Sequence, residues 1–305
     1  VLTNNSHAVA YSKNTIITLY LKTYYPLYFY ASCLAHPSSK GKQDTINEMK
    51  RRGIKLQLPN VNISKAEKFE ANKKNNSIYY SLSAIKGIGI EPAKIIEENQ
   101  PYSSFGDFIE KMKPFKRKVN KAKINTLIRA NAFRDFTKNQ GLLLKAVENL
   151  YPLKNTSLFD YDNFIRAEQE TIQDLSKFEK IQTLLDLLDI ETNILKARYS
   201  EKELQKLEED SETITNLENI IEKEKFYYVI YMKDIFEKVD KNGNLMAFIS
   251  IVDWYGNQSR LTVFQSLYKE IKDNIKKNKP YLIEAKGNSY NNSLSLILES
   301  EPARL

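Results

Sequence analysis

Residues 82–96 read Leu82-Ser83-Ala84-Ile85-Lys86-Gly87-Ile88-Gly89-Ile90-Glu91-Pro92-Ala93-Lys94-Ile95-Ile96. Two glycines one residue apart let the backbone bend sharply and approach another chain closely. Pro92 sits just inside the helix that follows, where its missing N–H costs little. Ile85 and Ile88 on one side of the turn, with Ile95 and Ile96 on the other, supply apolar contacts between two helices. The stretch reads as a helix-hairpin-helix. The bare N–H groups opening its second helix then suit a phosphate of a duplex backbone. Lys86 and Lys94 add charge there without reading sequence. The alternative is a glycine turn between two core helices, and the placing of the isoleucines favours the hairpin.

Just beyond, Lys111 to Arg134 holds nine basic residues and no acidic one. Lys113, Lys116, Arg117, Lys118, Lys121 and Lys123 crowd around Pro114. A solvated helix face interleaves both signs, so a run of one sign argues for binding a polyanion backbone, with plain solubility as the alternative. The expected DNA-binding set is therefore Lys86, Gly87, Ile88, Gly89 and Lys94 with those six cations.

The whole chain of 305 residues is 42% hydrophobic and 28% charged, with a net charge of +8. That length suits two or three domains. The charge is uneven: +14 over residues 1–150, −8 over 151–225 and +2 over 226–305. No apolar run reaches the ~18 residues of a membrane helix, so no membrane partner is expected. The start, Val1-Leu2-Thr3-Asn4-Asn5, lacks a signal-peptide pattern and an initiator Met, which suggests a fragment or internal piece. Cys33 is the one cysteine and His7 and His36 the two histidines, which excludes a disulfide framework and a Cys/His metal centre. The setting expected is cytoplasmic.

Residues 7–35 have the apolar spacing of buried helices, with Pro26 opening a turn at Leu27-Tyr28-Phe29-Tyr30. Gly41 to Arg52 reads as an amphipathic helix stopped by Gly53. Residues 54–59 alternate like a short strand, and 60–78 read as loop plus a brief strand. Residues 137–150 form a helix carrying Leu142, Leu143, Leu144, Ala146, Val147 and Leu150. Acidic helices follow over 160–225, where Ile181, Leu184, Leu185, Leu187 and Leu188 suit a coiled pair or a loosely attached arm. From Phe226 the period becomes two. Strands at 226–236, 245–254 and 259–264, a helix at 266–276, and strands at 280–286 and 294–298 give the order of a five-stranded OB barrel. Asp240-Lys241-Asn242-Gly243 is the first hairpin turn, its Asn-Gly suited to positive φ.

Three further features need weighing. Asn155-Thr156-Ser157-Leu158-Phe159 sets two apolar anchors behind a polar head, the form of a peptide that docks in a partner's pocket; packing onto its own domain is the alternative. Asp160-Tyr161-Asp162 has the spacing of a pair of Mg²⁺ ligands. It lies in a loop without a third carboxylate in register and reads better as an acidic helix start. His7 has no partner acid or nucleophile and reads as structural, and Cys33 as a small buried hydrophobe.

Four stretches, in order, resemble the C-terminal part of the alpha subunit of bacterial DNA polymerase III, the family C replicative polymerases. Asn5 to Tyr11 is similar to a fingers segment of the form Asn-Lys-Ser-His-Ala-x-x-Tyr. Tyr20 to Phe29 is similar to Leu-Lys-x-x-Tyr-Pro-x-x-Phe. Arg52 to Lys55 with Pro59 to Ser64 is similar to Gly-Ile-x-x-x-x-Pro-x-x-Asn-x-Ser. Ser83 to Gly89 with Leu127 to Phe133 resembles the tandem helix-hairpin-helix. Asn131 replaces the usual glycine, which its tolerance of left-handed φ permits. The linker does not show the family's Gly-x-Tyr-Leu-Ser-x-His-Pro segment.

The resemblance implies four parts: the end of a fingers-like helical region (1–78), tandem helix-hairpin-helices (79–150), a clamp-binding loop with an acidic helical linker (151–225), and an OB domain (226–305). It implies that Asn155, Thr156, Ser157, Leu158 and Phe159 bind the sliding clamp, Asn155 standing for the family's Gln. It implies that Ser6 and His7 approach an incoming nucleotide. It also implies that the barrel holds single-stranded template, for which Trp254, Tyr255, Arg260 and Tyr290 are the aromatic and basic candidates, against ordinary barrel packing. The family's PHP domain and its palm, whose Asp-x-Asp holds Mg²⁺, are absent from these 305 residues. The chain so read is the DNA- and clamp-binding portion of a DNA-directed DNA polymerase, catalytically incomplete alone, and partnered by duplex and single-stranded DNA, the clamp and a palm-bearing chain. A stand-alone accessory or decoy derived from such a polymerase is the alternative.

Overall fold

The computed structural model describes residues 2–37, 42–151, 158–190 and 225–300 apart from 289–292, with positions 195, 202, 205, 213, 214 and 217 between. The chain divides into two compact units, Val1–Leu175 with Leu187–Ile190, and Ser176–Asp186 with Glu191–Leu305.

The first unit opens with helices α1 (Leu2–Tyr24), α2 (Pro26–Ala35) and α3 (Gln43–Arg51). Pro26 takes the first turn of α2, which buries Leu27, Tyr30, Ala31 and Leu34. The expectation of burial fails for α1, where Val9, Tyr11, Ile16, Ile17, Leu19, Tyr20, Leu21 and Tyr24 are exposed. Its apolar residues are spread around the helix among Asn, Thr and Lys, so no single stripe turns inward. Lys22 of α1 pairs with Glu48 of α3, whose Ile46 and Met49 are buried. Strands β1 (Lys55–Gln57), β2 (Glu70–Asn72) and β3 (Ser77–Tyr79) form a sheet in the order β1-β3-β2, one strand more than the sequence suggested.

Helices α4 (Ile90–Glu98), α5 (Phe105–Met112), α6 (Lys121–Arg129), α7 (Gln140–Leu150) and α8 (Leu158–Glu168) follow. Side chains start three of them: Ser104 accepts from the Asp107 N–H, Asn120 from Lys123 and Asn139 from Leu142. Phe105 and Phe108 meet Phe133 edge-on at centroid distances of 5.0 and 4.8 Å, tying α5 to the turn after α6. In that turn Asn131 has φ 61°, the left-handed backbone expected of it.

The first limb of the hairpin is not a regular helix. The N–H groups of Ile85 and Ile88 donate three residues back, to the carbonyls of Leu82 and Ile85, and that of Lys86 donates to the Leu187 carbonyl, so the segment makes two tight turns instead. Leu82, Ile85 and Ile88 are nevertheless buried.

The second unit contains residues 177–186 of helix α9 (Lys177–Leu188), strands β4 (Thr213–Ile214), β5 (Lys225–Val239), β6 (Leu245–Val252) and β7 (Gln258–Val263), helix α10 (Gln265–Ile271), and strands β8 (Lys279–Asn288) and β9 (Ser293–Ser300). It is a strand-rich, curled, OB-like sheet, as the period of two implied. β5 pairs with β6 and β8, β6 with β7, β7 with β9, and β9 with β8; β4 adds to the edge of β5.

Alternate residues point inward: Tyr228, Ile230 and Met232, Ala247, Ile249 and Ile251, Leu261 and Val263, Tyr281, Ile283 and Ala285. Tyr268 and Ile271 of α10 join them. On the other face Val229, Tyr231, Val252 and Trp254 are covered by Leu185, with Phe178 and Ile181 beside it. The apolar side of α9 is thus packed onto the sheet, and the reading of an arm or coiled pair is corrected.

The β5–β6 turn differs in detail from an Asn-Gly hairpin. Only Gly243 has positive φ, at 82°. The Asp240 carboxylate organises the turn by accepting from the N–H groups of Asn242 and Asn244, both at 2.8 Å.

Candidate nucleic-acid interface

Gly87 turns the chain with φ 93°, and nothing lies within 4 Å of where its Cβ would be, so the bend faces open space. Gly89 is extended and caps α4 without a side-chain bond. The N–H groups of Ile90 and Glu91 therefore belong to an uncapped first turn, and Pro92 has none. The α5–α6 connection returns to this point, anchored by Val119 and Ile124, which are buried. It brings Arg117, Lys118 and, at the start of α6, Lys123 to the cleft that Lys86, Gly87 and Gly89 line, with a volume of about 640 Å³. Cations from two separate stretches of sequence thus meet beside the glycine turn.

Several expected residues lie elsewhere or are already paired. Ile88 is among the residues lining the cleft, with its side chain 2% exposed and packed in the core below the turn. Lys94 points away to Glu67 at 2.8 Å. Lys113 pairs with Glu110 one turn back along its own segment. Lys116 is exposed and Lys121 half-buried, and neither lines the cleft. Lys118 pairs with Glu91 at 2.8 Å. Two other members of the basic run are also committed. Lys111 donates to the Pro101 carbonyl at 2.7 Å, and Arg134 bonds the carbonyls of Leu58, Pro59 and Asn131. Burial holds the Arg134 guanidinium below its ordinary pKa.

On the sheet, Trp254 is 7% exposed and packs with Val229 and Tyr231. Its expected stacking role is corrected to packing, because the face it occupies is the one Leu185 covers. Tyr255 is exposed just after it. The Arg260 guanidinium lies 4.8 Å over the Phe248 ring, and the Lys238 ammonium 6.0 Å from the same ring. Phe236, directly across from Phe248 on β5, is exposed. The sequence reading missed Phe236, Lys238 and Phe248. Phe248 shares the outward phase of Arg260 on β6 and β7, whereas Phe236 and Lys238 face outward only because the register shifts between Met232 and Asp234, which the alternation of β5 does not reveal. Tyr290 lies outside the described residues.

Asn155, Thr156 and Ser157 also lie outside them, and Leu158 and Phe159 are the first two residues of α8 rather than loop. The Asp-x-Asp lies inside α8. Tyr161 is buried against Phe105, and Asp162 accepts from the Ser104 hydroxyl at 2.7 Å and the Gly106 N–H at 3.1 Å. Both carboxylate oxygens are thus committed to the start of α5, and the pair does not fit a Mg²⁺ site. Ser6 and His7 lie in α1, His7 exposed and stacked near Tyr11. Among the described residues no His, Cys, Asp or Glu side chains gather in threes, and no helix is long and apolar enough to cross a membrane.

Residues 53–143 match the family described as a helix-hairpin-helix motif. The DNA polymerase III subunit alpha of Staphylococcus epidermidis is 29% identical over 302 residues, covering 96% of this chain and 27% of that protein. The same subunit of Aquifex aeolicus is 30% identical over 295 residues, covering 92% of this chain and 23% of that protein. This chain spans about a quarter of the length of these relatives. A solved structure of the mitochondrial single-stranded DNA binding protein Rim1 of S. cerevisiae aligns with 27% of this chain and 97% of its own at 19% identity, with a TM-score of 0.24.

Proposed function

We propose that this chain, similar along nearly all of its length to a portion of bacterial DNA polymerase III alpha subunits, grips DNA for such a polymerase. The observation that carries the reading is the convergence of Lys86, Arg117, Lys118 and Lys123 on one cleft beside the Gly87 turn and the first turn of α4. Backbone N–H groups and cations set together bind phosphate oxygens without reading bases, which is what a polymerase needs on duplex product.

The ring of β5, β6, β7, β9 and β8 is read as a five-stranded OB barrel. Its outward Phe248 and Arg260, with Tyr255, hold single-stranded template by stacking and charge. Asn155 to Phe159 dock into the sliding clamp. Ser6 and His7 approach the incoming nucleotide, and a palm-bearing polypeptide supplies the Mg²⁺-binding carboxylates. The setting is the cytoplasm.

Fluorescence anisotropy with a labelled duplex tests the reading. Replacing Arg117, Lys118 and Lys123 together by Gln lowers affinity at least tenfold, about 0.5 kcal/mol or more per lost phosphate contact. Unchanged affinity contradicts it.

A further inference from the structure

The basic cleft carries its own competitor. Glu91, second residue of α4, is the one acid among the described residues lining it, and its Oε2 lies 2.8 Å from the Lys118 Nζ. The pair joins α4 to the α5–α6 connection. Its side chains are 63% and 52% exposed, so water screens the attraction and the fold gains little from it. A carboxylate and a phosphate oxygen make the same charge-assisted bond to an ammonium group.

We infer that Glu91 holds Lys118 in reserve, a carboxylate standing where a DNA phosphate docks until the duplex displaces it. The inference rests on reading the cleft as a DNA site. On binding, Lys118 exchanges one anion for another and Glu91 is returned to water. The contact therefore adds less affinity, and releases fewer counterions, than a lysine with no acid beside it. The cleft lets duplex go more readily than its four cations alone would.

Anisotropy titrations of the whole chain with a short labelled duplex, repeated over a salt series, test this. Glu91→Gln is expected to tighten binding roughly three- to fivefold at low salt. It also steepens the slope of log affinity against log salt by up to ~0.9, one phosphate's worth. In a Lys118→Gln background the steepening is expected to vanish. A Glu91→Gln chain with wild-type affinity and slope overturns the latch alone, provided the wild type binds. Steepening that persists without Lys118 overturns it too. Absence of salt-dependent duplex binding by the wild type overturns the reading of the cleft, and the latch with it.

Discussion

Asn131 carries a left-handed backbone in the turn between α6 and α7, with φ 61°. An asparagine tolerates that angle, glycine adopts it without strain, and a β-branched residue pays about 1–2 kcal/mol for it. Asn131→Gly is therefore expected to leave the urea midpoint nearly unchanged, whereas Asn131→Val lowers stability by about 1–2 kcal/mol; equal effects of the two would show that the side chain, not the angle, matters. Glu48 gives a prediction in pH. Its hydrogen bond from Lys22 holds the carboxyl below its ordinary pKa, so folding is favoured while it is ionised. That contribution is fully present above the unfolded carboxylate value of about 4.3 and is lost as pH falls through the lower folded value. Thermal melts of wild type and Glu48→Gln should differ at neutral pH and converge in strong acid. Pro26 and Asn131 were legible in sequence because their constraints are local. The burial of Trp254 was not, since nothing local to 254 says that Leu185 covers that side of the sheet.

At the scale of elements, the sheet was the most legible part. Period-two alternation from Phe226 onward places Ile230, Ile249 and Ile283 inward without reference to anything distant, and all three are fully buried. The first limb of the hairpin departs from a regular helix because a distant segment intervenes: the Leu187 carbonyl takes the Lys86 N–H that a helix would have given to Leu82. The Asp-x-Asp does open an acidic helix, α8, as its sequence reads; the bonds of Asp162 to the start of α5 come from a distant segment and had no local signal. The outward face of β5–β7 makes its own prediction. Base–aromatic stacking contributes about 1–3 kcal/mol per base, so Phe248→Ala should weaken oligothymidine binding several-fold or more. Arg260→Ala weakens it further, while duplex affinity stays near wild type. Equal losses on both ligands would place the two DNA forms on one surface and contradict the division.

For the whole molecule, the net charge of +8 conceals a +14 stretch over residues 1–150. The sequence grouped the basic run with the glycine turn as one DNA-binding set. Only the folded chain selects among its members, bringing Lys86, Arg117, Lys118 and Lys123 together and committing Lys94, Lys111, Lys113 and Arg134 to other bonds. Charge alone could not make that selection, because each side chain's partner comes from elsewhere in the chain. The central claim is that this cleft grips the duplex backbone, and the salt dependence of duplex affinity tests it most directly. The account predicts a log–log slope steeper than about −2 for the wild type, flattened by up to ~2.7 when Arg117, Lys118 and Lys123 are all Gln. An identical slope for the two proteins would contradict it.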